Sequence, residues 1–219
     1  GLANALPTLL ELAEEQGYAT GVISTARITH ATPAATYGHA PNRDWESDAD
    51  LPAMAVEEGC RDLARQLVEF DHGDGIELSL GGGRAWFLPR GEADPEYPEQ
   101  TGIRGDGRNL AEQWAAGAKN RAYVWNRDQL NALAADPHRQ ILGLFEPSHM
   151  QFEVDRDNAA EPSLEELTRF AIERLRRAPE GFFLMVEGGR IDHAHHATNA
   201  YRALTDTIAM ADAVAAAVE

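Results

Sequence analysis

Apolar positions along the 219-residue chain recur in two patterns. In L-P-T-L-L-E-L-A-E-E-Q they return at helical spacing and predict a first helix that stops at Gly17. The following run, Y-A-T-G-V-I-S-T, is short and β-branched, as a buried strand should be. Further helices are predicted from Pro52 to about Phe70, over N-L-A-E-Q-W-A-A-G, over R-D-Q-L-N-A-L-A, and through Thr205 to the last residues. S-L-E-E-L-T-R-F-A-I-E-R-L-R-R opens with a capping box, Ser163 with Glu166 three positions on, and predicts another. I-E-L-S-L, R-A-Y-V-W, Q-I-L-G-L-F and G-F-F-L-M-V-E read as strands. Helices alternating with apolar strands predict an α/β three-layer sandwich, with a largely parallel central sheet flanked by helices around one core.

Two connections stand out from this alternation. Ala26 to about Asp50 is long and polar, yet its Trp, Tyr and His content argues against disorder and for function. The stretch F-L-P-R-G-E-A-D-P-E-Y-P-E-Q-T-G-I-R-G-D-G-R is rich in Pro, Gly and charge and predicts an ordered surface excursion, within a broader span of about 81–160. The G-G-G-R before it lacks the Lys-Ser/Thr ending of a phosphate loop, so a turn requiring positive φ is the expected structure.

Candidate chemistry gathers where strands end, the place ligands bind in open α/β sheets. E-G-G-R-I-D-H-A-H-H follows the last strand, and Glu187 stands at its end. Asp192 and His196 are four apart, on one helical face, which suits two ligands of one Zn²⁺ and equally a helix cap or a simple pair. Glu187 offers oxygen to a harder cation such as Mg²⁺. Thr32, in T-H-A-T-P-A, either caps a short helix beginning at Pro33 or gives a hydroxyl to Mg²⁺. Arg43, in N-R-D-W, carries a planar guanidinium that suits phosphate or sulfate, or a surface salt bridge. Together these residues suit transfer of an oxyanion beside metal ions.

Charge narrows the partners. Lys and Arg number 19 against 36 Asp and Glu, a formal net charge of -17, which repels nucleic acid and anionic membranes. An acidic surface of this kind is either ordinary or suited to high salt, as in a salt-adapted bacterium. Cys60, the single cysteine, sits in a helical pattern and is expected to be buried and structural. No run has transmembrane length, and the first residues show no secretory pattern.

The blocks T-H-A-T-P-A-A-T-Y-G-H, P-N-R-D-W-E-S-D-A-D-L-P, L-G-G-G-R, D-P-E-Y-P, Y-V-W-N-R, G-L-F-E-P-S-H-M, G-F-F-L-M-V-E-G-G-R-I-D-H-A-H-H and A-Y-R-A-L-T-D-T-I resemble the alkaline phosphatase family, and its animal-type branch more than the short enteric-bacterial type. The resemblance implies hydrolysis of small phosphate monoesters through a phosphoserine intermediate. It also implies Zn and Mg, a homodimer, and a periplasmic or extracellular location. By it, Asp192 and His196 would bind zinc, Thr32 and Glu187 magnesium, and Arg43 the substrate phosphate. His30 and His193 would stand beside the magnesium and the phosphate and act through water. A calcium would take Glu96, the Phe145 carbonyl, Glu146 and Asp157.

The family's D-S-A block with its nucleophilic serine has no counterpart in these residues, nor have several metal-ligand blocks. The expectation is therefore the central portion, residues 1–219, of a longer single domain, an incomplete sandwich inactive by itself. Two other readings stay open: a non-catalytic acidic metal-binding domain, and a related two-metal sulfatase or phosphodiesterase, the last disfavoured by N-R-D-W beside T-H-A-T-P-A.

Overall fold

The computed structural model describes residues 5–134 and 139–219. Five strands, β1 (Ala19–Arg27), β2 (Leu78–Gly82), β3 (Arg121–Val124), β4 (Gln140–Leu144) and β5 (Phe182–Glu187), form one sheet in the order β3-β4-β2-β1-β5. All of its pairings are parallel. The nine described α-helices are α1 (Leu9–Glu15), α2 (Ala31–Ala34), α3 (Ala53–Glu57), α4 (Leu63–Val68), α5 (Leu110–Gly117), α6 (Arg127–Ala132), α7 (Leu164–Leu175), α8 (Arg190–His196) and α9 (Ala200–Val218).

Alternation along β1 makes the three layers. Val22 joins a core with Leu10, Leu67, Phe87 and Leu110 on one face of the sheet. Its neighbour Ile23 joins Leu80, Ile141, Leu164 and Leu167 on the other, because successive strand side chains point to opposite faces. The Ser163–Glu166 capping box forms at the start of α7, as the sequence predicts.

The helix expected from Pro52 to Phe70 is two helices. Cys60 N donates to Ala55 O at 2.9 Å as α3 ends, and Asp62 caps α4 by accepting from Arg65 N at 2.9 Å. Cys60 therefore lies half-buried in the intervening turn rather than inside a helix. Thr32 does not cap α2; it is exposed within that helix, and His30 occupies the cap position without a side-chain bond.

The G-G-G-R turn forms with Gly83 at φ 102°. Gly82 has a different reason to be glycine, since a Cβ there would meet Ser148 O at 2.2 Å. That close approach lets the segment after β4 lie across the sheet, where Met150 N donates to Thr25 O at 3.0 Å.

Within the span 81–160, β3, α6 and β4 belong to the sheet and its flank. The stretch around 84–106 stands apart, held by bridges from Pro89 to Arg104, Arg90 to Gly102 and Ala93 to Thr101. Two fully buried arginines anchor it. Arg84 Nε donates to Asp94 at 2.6 Å and its Nη2 to Glu96 at 2.9 Å, while Arg104 donates to Asp62 at 3.0 Å and Asp106 at 2.6 Å.

Candidate active site at the carboxyl ends of β1 and β5

In-register pairing of Ser24 with Glu187 brings the two strand ends together. Ser24 Oγ donates to Glu187 Oε2 at 2.6 Å, which orients the carboxylate and leaves its other oxygen for a further partner. The chain then turns through Gly188 and Gly189 into α8, which carries Asp192 and His196 on one exposed face. His196 Nε2 lies 3.4 Å from Asp192 Oδ2. A tetrahedral zinc with donors at about 2.0–2.1 Å keeps them roughly 3.3 Å apart, so the pair fits two corners of such a site. Neither side chain caps α8.

The loop after β1 supplies the rest. Arg43 is exposed, and its Nη2 lies 3.0 Å from His30 Nε2. Arg27, at the end of β1, donates from Nε and Nη2 to Glu46 at 2.8 and 2.6 Å, and Thr29 Oγ1 donates to the same carboxylate at 2.6 Å. Arg190 Nη1 lies 3.1 Å from His193 Nδ1, and its guanidinium stacks on Phe152 at 3.6 Å.

Among these residues the structure places one that sequence reasoning missed, His149. Its ring joins those of His30 and His193, and nitrogens of the three lie within 4.8 Å of one another. Nothing local in G-L-F-E-P-S-H-M marks it; the approach of its segment to β1 does. Burial, then Arg27, pushes the His149 imidazole down to about 2. Burial, then Arg190, pushes His193 to about 4, and burial, then Arg27, lowers His30. All three shifts favour the neutral imidazole.

The acids assigned to calcium lie elsewhere, beside the Arg84 anchor. Glu146 Oε1 accepts from Tyr97 Oη and Gln151 Nε2, each at 3.1 Å, and Glu96 pairs with Arg84. Phe145 is buried next to Glu146. Asp157 is exposed, and its carboxylate caps its own turn by accepting from Ala159 N at 2.9 Å. The buried acid that meets Glu146 is Glu161, which sequence reasoning passed over; burial, then the Glu146 charge, pushes its carboxyl up to about 9.

Strand order and parallel register define an α/β protein, with a polar cluster beyond the carboxyl ends of the strands, where open sheets of this kind bind ligands. The sequence profile of the family described as Alkaline phosphatase matches residues 3–219, and the chain belongs to that family. It is 46% identical over 213 residues to the tissue-nonspecific isozyme of alkaline phosphatase from Gallus gallus, covering 94% of this chain and 41% of that protein. The alkaline phosphatase of Gadus morhua is 42% identical over 216 residues, with 96% and 45% covered. The crystal structure of Thermus thermophilus alkaline phosphatase superposes with a TM-score of 0.73 at 33% identity, covering 97% of this chain and 38% of that one. The chain thus spans less than half the length of these relatives. No helix among the described residues is long and apolar enough to cross a membrane.

Proposed function

We propose that the protein carrying this chain hydrolyses phosphate monoesters at the carboxyl ends of β1 and β5. The observation that carries the reading is that Glu187 and the Asp192–His196 pair follow β5 beside the end of β1, whose following loop brings Arg43 to His30, in a chain of the alkaline phosphatase family. Asp192 and His196 would hold zinc, and Glu187 with Thr32 would hold magnesium. A mutant TAB5 alkaline phosphatase, 26% identical to this chain, has been solved with Mg bound in its M3 site, which supports a magnesium position in the family. These ions would supply Lewis acidity at the phosphoryl oxygens.

The chain's own residues do the positioning. Ser24 fixes the Glu187 carboxylate, and Arg43, exposed at the rim, offsets charge on the non-bridging oxygens of an in-line transfer. A phosphoserine intermediate, export to the periplasm or beyond, and a homodimer belong to the same proposal and rest on the resemblance. For calcium, we assign Glu96, the Phe145 carbonyl, Glu146 and Glu161 in place of Asp157. Burial beside the Glu146 charge favours a protonated Glu161 carboxyl, and a divalent cation there would take the proton's place.

The test is hydrolysis of an aryl phosphate by the full-length protein at alkaline pH, with and without a chelator. Turnover abolished by the chelator and restored by zinc with magnesium is the expected result; chelator-insensitive turnover sinks the reading.

A further inference from the structure

Arg43 stands on a span with little of its own to hold it. From Ala40 to Asp44 no backbone group bonds to the backbone of another element among the described residues. The span closes on itself instead, with Asp44 N donating to Asn42 Oδ1 at 3.0 Å and Trp45 N to Asn42 O at 3.3 Å. A cavity of about 470 Å³ adjoins it, lined by His39, Ala40, Pro41 and Trp45 of this loop with Glu11 and Phe70, so packing does not fix the span on that side. The guanidinium is exposed, and among the described side chains it meets only His30. Where it points is therefore set by the moorings at the two ends of the span.

The end that follows Arg43 is held by main chain. Leu63 N donates to Trp45 O at 2.8 Å and Ala64 N to Glu46 O at 3.1 Å, which ties the loop to the start of α4. The end that precedes it is held by side chains, and they converge on His39. Gln66 of α4 clamps the His39 backbone: His39 N donates to Gln66 Oε1 at 2.7 Å, and Gln66 Nε2 donates to His39 O at 3.3 Å. The imidazole reaches α1, where its Nε2 lies 2.6 Å from Glu11 Oε1. A carboxylate only accepts, so His39 is the donor, in a short bond to a charged partner. Glu11 is itself fixed, because it is 3% exposed and its other oxygen accepts from Thr8 N at 2.7 Å in the α1 capping box.

We propose that His39 is a positioning residue for the phosphate-binding arginine: its hydrogen bond to Glu11, with the Gln66 clamp, sets where the span from Ala40 to Asp44 holds the Arg43 guanidinium. The role of Arg43 rests on the phosphatase reading, whereas the mooring rests on geometry alone. His39 touches no substrate in this arrangement and acts through Arg43.

The test is a double-mutant cycle on the full-length protein, read as the equilibrium Kd of inorganic phosphate. His39→Leu removes the donor to Glu11, and His39→Gln keeps an N–H in reach of it. Expected is about a tenfold weaker Kd for His39→Leu, within about threefold of wild type for His39→Gln, and less than about a twofold effect of His39→Leu when Arg43→Ala is already present. A Kd that His39→Leu leaves unchanged, or weakens equally with and without Arg43, overturns the proposal, as does equal weakening by Leu and Gln. Glu11→Gln, which keeps the capping box, enters the same cycle if His39→Leu does not fold, with about a threefold weakening expected only when Arg43 is present. Amide exchange over residues 40–44, measured without phosphate, should speed in His39→Leu; unchanged exchange overturns the mooring. Faster exchange together with an Arg43→Ala variant that binds phosphate normally would instead sink the role of Arg43 in the phosphatase reading and leave the mooring standing.

Discussion

The two ends of β1 pose opposite versions of one problem. At its start, acids crowd: Thr20 N donates to Glu77 Oε2 at 2.5 Å, Thr20 Oγ1 donates to Glu14, and Glu14 Oε2 has no side-chain hydrogen-bond partner among the described residues. At its end, donors crowd, with Arg27, Arg43 and Arg190 each beside a histidine. The acidic end resolves its excess internally, because a carboxyl can keep its proton. Burial, then Glu14 and Asp74, pushes the Glu77 carboxyl up to about 8. Arginine has no such option at any working pH: Arg27 is closed by Glu46, whereas Arg43 and Arg190 have no carboxylate at salt-bridge distance among the described residues. The same strand thus has a structural end that closes on itself and a functional end that does not. The Arg84 and Arg104 anchors make the point from another side, since buried arginines with a structural task are closed by carboxylates.

The largest effect should come from Arg27→Ala, which leaves Glu46 buried with only Thr29 as a side-chain donor. A loss of about 3–5 kcal/mol is expected in the unfolding free energy from denaturant titration, the usual consequence of removing one partner of a buried pair. A loss below about 1 kcal/mol would show that the end of β1 is not rigidly built. Calcium comes next: at 100 times its Kd it should stabilise the protein by about 2.7 kcal/mol, and Glu161→Gln should remove that gain while Asp157→Asn keeps it. Thermal melts with and without calcium decide between the two acids.

Glu77 gives the acidic end its own test. Its folded pKa is raised, so the native state binds the extra proton. That contribution is full below the unfolded carboxyl value of about 4.5 and is lost as pH rises through about 8. Stability should fall over this window by up to about 5 kcal/mol from this group, and Glu77→Gln should flatten the slope. Arg43→Ala should act at the other end only. Its side chain is exposed, so stability should hold within about 0.5 kcal/mol while phosphate binding weakens about tenfold.

Much of this architecture is legible in the sequence because it is local. The Ser163 capping box, the apolar runs of β1 and β5 and the four-residue step from Asp192 to His196 need no distant partner. Some misses are local: Asp62 caps α4 three residues ahead of Arg65, and His30 rather than Thr32 stands at the start of α2. Others are long-range. His149 reaches the site through the backbone of Arg27, 122 residues away. Glu161 differs from Asp157 only in what it meets on folding, a buried glutamate rather than solvent. Hydrophobic period reports which face is buried, and says nothing about which buried polar groups find each other.

The most direct measurement is a crystal structure of the full-length protein with vanadate bound. The account predicts an oxyanion facing Arg43, beyond the carboxyl ends of β1 and β5 and beside Glu187 and the Asp192–His196 pair. An oxyanion bound away from Arg43 and the carboxyl ends of β1 and β5 would contradict it.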